Sequence, residues 1–149
     1  RGTIVEPIKE SDLRDALEVR EALEELAVRK ACRNMDELTI QTLRKLEQEF
    51  ELSLEKNDMQ TSARLDVQFH ERITEAAHNR RLTQSLTQLR EELYRYRLEN
   101  LKDPETYPIL VQAHRNIISA LETHDEDRAA QELQRHIESQ ENVLAEHIQ

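Results

Sequence analysis

The chain has 149 residues, which suits one domain with a real buried core. Its formal net charge of −10 repels phosphate backbones and makes the domain a poor nucleic-acid binder by itself, and no apolar run is long enough to span a membrane. One glycine, three prolines and no tryptophan favour helix, and the single cysteine, Cys32, rules out an intrachain disulfide and fits a reducing cytoplasm.

The spacing of apolar residues predicts six helices in chain order. The first runs from about Asp12 to Arg33, with Ser11 as its cap and Leu13, Leu17, Leu23, Leu26, Ala27 and Ala31 as its stripe. Cys32 near its end reads as a small packed residue. The second spans about Glu37 to Lys56, capped by Asp36, with Leu43, Leu46, Phe50 and Leu54 inward. The third spans about Gln60 to His78 over Leu65, Phe69, Ile73, Ala76 and Ala77, and Asn79 is read as a left-handed terminator. The fourth runs from about Leu82 to Leu101, and Pro104 and Pro108 then break the chain. The fifth covers about Ile109 to Glu122, and the sixth runs from about Glu126 to His147, capped by Asp125 and carrying Ala129, Leu133, Val143 and Leu144. Short links between amphipathic helices predict an all-α antiparallel bundle of six to seven helices over residues 11–149. Residues 1–10 read as a short extended piece and a linker. Arg80, Arg81, Arg90, Arg95 and Arg97 are close in sequence and read as a solvated helix face.

Function is sought where polar residues interrupt apolar faces. Asp66 and His70 are four apart and differ in direction by about 40° on a helix, so both reach one point. His114 lies between Leu110 and Ile117, and His136 follows Leu133, each on an inward face. A buried aspartate is costly to desolvate, and a divalent cation at the convergence point would neutralise it. One carboxylate and three imidazoles suit zinc first, with nickel, cobalt, manganese or iron also compatible. For any one of these residues a hydrogen-bonded core role accounts for the pattern as well, and the joint occurrence on three faces brings the two readings level. His78, His124 and His147 read as surface or capping residues. Arg20 and Glu24 interrupt the row Leu13, Leu17, Ala27, Ala31. They are either an ion pair at the bundle edge or a guanidinium aimed into the same cavity, where Arg20 would grip a carboxylate. Arg97, on the inner edge beside Leu93 and Tyr96, is the second such candidate.

The stretch "LDVQFHERITEAAHNRRL" from Leu65 to Leu82 resembles the signature of the FadR C-terminal (FCD) domain of GntR-type transcription regulators. "DLRDALEVREALEELAVRKA" resembles that family's opening helix, and "AHRNIISALETHDEDRAAQELQRHI" its last two. The resemblance covers about residues 11–148 in the right order. It implies the metal-binding branch, with Asp66, His70, His114 and His136 as the metal ligands. One divalent ion, a small organic acid effector held with help from Arg20 and Arg97, and a homodimer follow as expectations. The loop before the last helix carries His124 where many relatives have glycine, which touches a helix terminus and not the ligand set. "RGTIV" at residues 1–5 resembles the end of a winged helix-turn-helix wing, so DNA would be bound by an N-terminal domain absent from this chain. The expected role is sensing, not catalysis. The alternatives are a di-iron type bundle enzyme, for which Glu75 and His78 form the one Glu-x-x-His pair, and a metal-free helical interaction module.

Overall fold

A computed structural model describes residues 8–148, with side chains described through residue 142. The wing-like "RGTIV" piece and the expected roles of Val143, Leu144 and His147 lie outside those side chains. Among the described residues the chain forms seven α-helices and no strand. These are α1 (Glu10–Asn34), α2 (Glu37–Glu55), α3 (Met59–Glu75), α4 (Arg80–Glu92), α5 (Tyr94–Asn100), α6 (Tyr107–Glu122) and α7 (Glu126–Ile148), with a 3-10 turn over Pro104–Thr106 before α6.

Local chemistry fixes most of the ends. Asp36, Asp58, Asn79 and Asp125 each accept the backbone N–H three residues on, at 2.8, 3.2, 3.1 and 3.2 Å. Each such cap contributes about 1 kcal/mol. The links after α2, α3 and α6 are closed by Asn57, His78 and His124, all with φ between 54° and 57°. His124 thus occupies the left-handed position that glycine suits best, and its Nδ1 lies 3.0 Å from the Cys32 carbonyl oxygen. Such tight links return each helix beside its predecessor, and α1 packs on α7, α2 on α3 and α6, and α6 on α7.

Several sequence expectations shift. Ser11 is not the cap of α1, which begins two residues earlier at Glu10 with Lys9 before it and no side-chain cap bond. Asn79 caps α4 instead of terminating α3, because His78 takes the left-handed position. The expected fourth helix divides at Leu93, whose ψ of 2° ends α4 before α5 begins. Pro108 sits in the first turn of α6, where a missing N–H costs nothing, and does not lie in the break. Leu26 is exposed. The buried row of α1 is Leu13, Leu17, Arg20, Glu24, Ala27 and Ala31, one continuous face that leaves Leu26 about 100° away from its neighbour Ala27.

The main core joins Val28, Ala31 and Cys32 of α1 to Leu43, Phe69, Ile73, Ile117, Leu121, Leu133 and Ile137. A second cluster sets Phe50 and Leu54 against Ala63, Leu65, Leu101 and Leu110. Cys32 is buried, and burial pushes its thiol above the usual range, in keeping with a packing role. Phe50 and Phe69, from the two clusters, wall the polar site described next.

Candidate metal centre

Helical period brings four polar residues from three helices to a single interior point. Asp66 and His70 share a face of α3, His114 comes from the middle of α6 and His136 from the middle of α7. All four are buried, and one ligand atom from each lies within 4.8 Å of all the others. Asp66 Oδ1 is 2.8 Å from His114 Nε2 and 3.3 Å from His70 Nε2. The three imidazole rings have centroids 5.3 to 5.6 Å apart. The His114 ring stacks on Phe69 at 4.2 Å and meets Phe50 at 4.8 Å, which holds its plane.

The donor set fits a borderline divalent cation, and two further observations favour that fit. His70 Nε2 and His136 Nε2 are buried without a hydrogen-bond partner. Buried imidazole nitrogens rarely stay unpaired, and a cation in the middle of the cluster satisfies both at once. Burial also pushes all three histidines down: His114 to about 4, and His70 and His136 well below 6.5. Neighbouring imidazoles add to the effect on His136. At neutral pH the rings are therefore uncharged, the form that ligates metal.

Arg97 and Arg20 both turn inward. Arg97 donates from Nη1 to Asp66 Oδ2, the carboxylate oxygen other than the one facing His70 and His114. Burial and the nearby Arg20 charge bring Arg97 down to about 9, so it stays a cation at neutral pH. Arg20 donates from Nη2 to Gln140 Oε1 at 3.1 Å, and its Nε lies 3.5 Å from Glu24 Oε2. The bundle-edge reading of Arg20 and Glu24 is thereby replaced by an interior one. Glu24 Oε1 accepts from Arg90 Nη2 at 2.6 Å, which also donates to Thr74 Oγ1 at 2.8 Å. Thr74 in turn donates to the His70 carbonyl at 2.9 Å. Burial raises Glu24, but the Arg90 and Arg20 charges outweigh it and hold the carboxyl near 2. Glu24 is thus a carboxylate that keeps two guanidiniums in place in the interior.

The sequence reading missed Arg90, Gln140 and Glu47. Arg90 and Arg97 are buried, so the expected solvated arginine face does not exist as one surface; Arg80, Arg81 and Arg95 are exposed, Arg95 lying over the Tyr96 ring. Gln140 is four residues beyond His136, and that spacing was the available signal. Glu47 lies on the buried row of α2 between Leu43 and Phe50, where a lone acid passes for a surface residue. Burial raises its carboxyl to about 7 against the opposing pull of His114. The di-iron alternative loses its one motif, because Glu75 and His78 are exposed.

Residues 15–139 match the family model of the FCD domain. A fold likeness extends to the solved structure of E. coli McbR/YncC, with a TM-score of 0.86 over 94% of this chain and 71% of that one. Sequence identity there is 18%, so the likeness concerns the fold. Comparison with curated proteins returns no significant match. No helix among the described residues is long and apolar enough to cross a membrane.

Proposed function

The chain belongs to the FCD domain family, and from that premise we propose that it is the ligand-sensing and dimerisation domain of a bacterial GntR/FadR-type transcription regulator. In this reading Asp66, His70, His114 and His136 hold one divalent cation, zinc first among the compatible ions. The observation that carries it is the buried meeting of those four side chains, with two imidazole nitrogens unpartnered. When bound, the ion supplies an electrophilic anchor for the carboxylate of a small organic acid.

The protein's own residues do the remaining work. Arg20 keeps a buried guanidinium whose Nε makes no hydrogen bond and has only the 3.5 Å ion-pair contact with Glu24, a group suited to grip a carboxylate. Gln140 and Glu24 orient that guanidinium from two sides. Arg97 balances the Asp66 charge. Phe50, Phe69 and the surrounding aliphatic core exclude water and strengthen each charge interaction.

Effector binding would act on DNA only through different affinities for two arrangements of a dimer. The paired winged-helix domains that precede such a domain would then move into or out of half-site spacing. Val19, Ala22 and Leu26 form an exposed stripe along α1 at heptad spacing, which supports a helix-to-helix contact with a second copy. A cytoplasmic location accompanies this role.

The test is a thermal-shift screen of zinc-loaded protein with lactate, citrate, sugar acids and amino acids, repeated on Arg20→Ala. A stabilising acid whose effect falls at least tenfold in apparent affinity in the variant, with zinc still bound, supports the reading. An acid that binds both proteins equally removes Arg20 from it.

A further inference from the structure

His114 carries a buried nitrogen that the metal centre leaves unused. Its Nε2 faces Asp66 and the other imidazoles, while Nδ1 is buried with no hydrogen-bond partner. If Nε2 gives its lone pair to a cation, the neutral ring must carry its proton on Nδ1. A buried N–H with nothing to accept it is costly, so an acceptor is called for.

The opposite helix offers one. Glu47 of α2 is buried, and its Oε1 also has no hydrogen-bond partner. Two contacts one turn further along α2 place it. Phe50, three residues on, meets the His114 ring at 4.8 Å. Glu51, four residues on, accepts from Arg115, the residue after His114, at 2.7 Å. Residues three and four apart on a helix share a face, so Glu47 belongs to the face of α2 that packs on α6 at His114.

We propose that Glu47 is the positioning residue of the metal centre, accepting the Nδ1–H of His114 and so aiming the Nε2 lone pair at the cation. The role rests on the metal reading above and extends it by one shell. An acceptor behind a ligating imidazole fixes its tautomer and ring orientation and makes it a better donor. A carboxylate in this place also explains why an acid is kept within an otherwise apolar row of α2, between Leu43 and Phe50.

The experiment compares wild type, Glu47→Gln and Glu47→Leu. Zinc affinity is measured by competition with a chromophoric chelator at fixed pH, and the stability of each metal-free protein by urea unfolding. Glu47→Leu should bind zinc about 10- to 100-fold more weakly, and Glu47→Gln, which retains an amide acceptor, should fall between. The metal-free variants should unfold at or above the wild-type urea midpoint, since a purely structural role predicts the reverse. Long-range proton–nitrogen correlation on the zinc-loaded wild type should show His114 protonated at Nδ1, a readout that does not depend on how the variants fold. Zinc affinity of Glu47→Leu within twofold of wild type, or an unprotonated Nδ1, overturns the role while leaving the metal site standing. A wild type that takes up no zinc overturns both.

Discussion

Arg90→Met removes one guanidinium from the interior and tests whether the Glu24 network is held as the geometry indicates. Arg90 is 2% exposed and reaches Glu24 and Thr74 through the same Nη2. Methionine keeps most of the buried stem, so little cavity is opened. What is lost is the nearer of two cations facing Glu24, leaving only Arg20 at 3.5 Å. Breaking a buried pair from one side costs about 3–5 kcal/mol, because the remaining charge is uncompensated. For a domain of this length each kcal/mol moves Tm by about 2–4 °C, so the expected drop is about 6–20 °C. The assay is urea unfolding of the metal-free protein at neutral pH, with an unchanged m-value as the condition for reading stability from the midpoint. Glu24→Gln/Arg90→Met removes both charges but leaves an acceptor for Arg20. It should be more stable than Arg90→Met alone, with a coupling of about 1 kcal/mol or more. A loss below about 1 kcal/mol in the single variant, or strict additivity in the double, would refute the reasoning.

The remaining predictions concern the metal and the dimer. Three free imidazoles with pKa near 6.5 would each lose about tenfold in neutral form by pH 5.5, about a thousandfold together. Here burial lowers all three, His114 to about 4, so protons compete only at lower pH. Zinc affinity measured at pH 5.5 and 7.5 should therefore differ by far less than a thousandfold, and a full thousandfold loss would contradict the buried neutral cluster. At about a thousandfold excess over its dissociation constant, zinc should stabilise the protein by about 4 kcal/mol in thermal unfolding, an effect abolished in His70→Ala. Leu26→Asp, on the exposed stripe of α1, should shift the protein to monomer in sedimentation velocity without lowering zinc affinity. A dimer that persists in that variant would move the interface elsewhere.

The buried aspartate–histidine cluster was legible because helical period is a geometric statement. Asp66 and His70 at i and i+4 beside Leu65, Phe69 and Ile73 can point only inward if that stripe is buried. The same logic exposed the row through Arg20 and Glu24, though period alone could not say whether the row ended at a bundle edge or a cavity. Arg90 was not legible. It stands among Gln88, Glu91 and Glu92, and its inward direction depends on Glu24, 66 residues earlier in the chain. Glu47 was hidden for the same reason, since its neighbour His114 belongs to another helix. The division at Leu93 had no local sign either: "LREELYRYRLEN" contains neither glycine nor proline and favours helix throughout. Link geometry was partly legible, in that Asp36 and Asp125 were read as caps, whereas the left-handed role fell to His78 instead of Asn79.

Isothermal titration of the chelator-treated protein with zinc puts the convergence of Asp66, His70, His114 and His136 to its most direct test. Wild type should take up a single ion per chain with release of heat and little release of protons at neutral pH, the imidazoles being already uncharged, and His70→Ala and His136→Ala should each abolish tight uptake. Wild type that binds no zinc, or variants that bind it as tightly as wild type, would contradict the account.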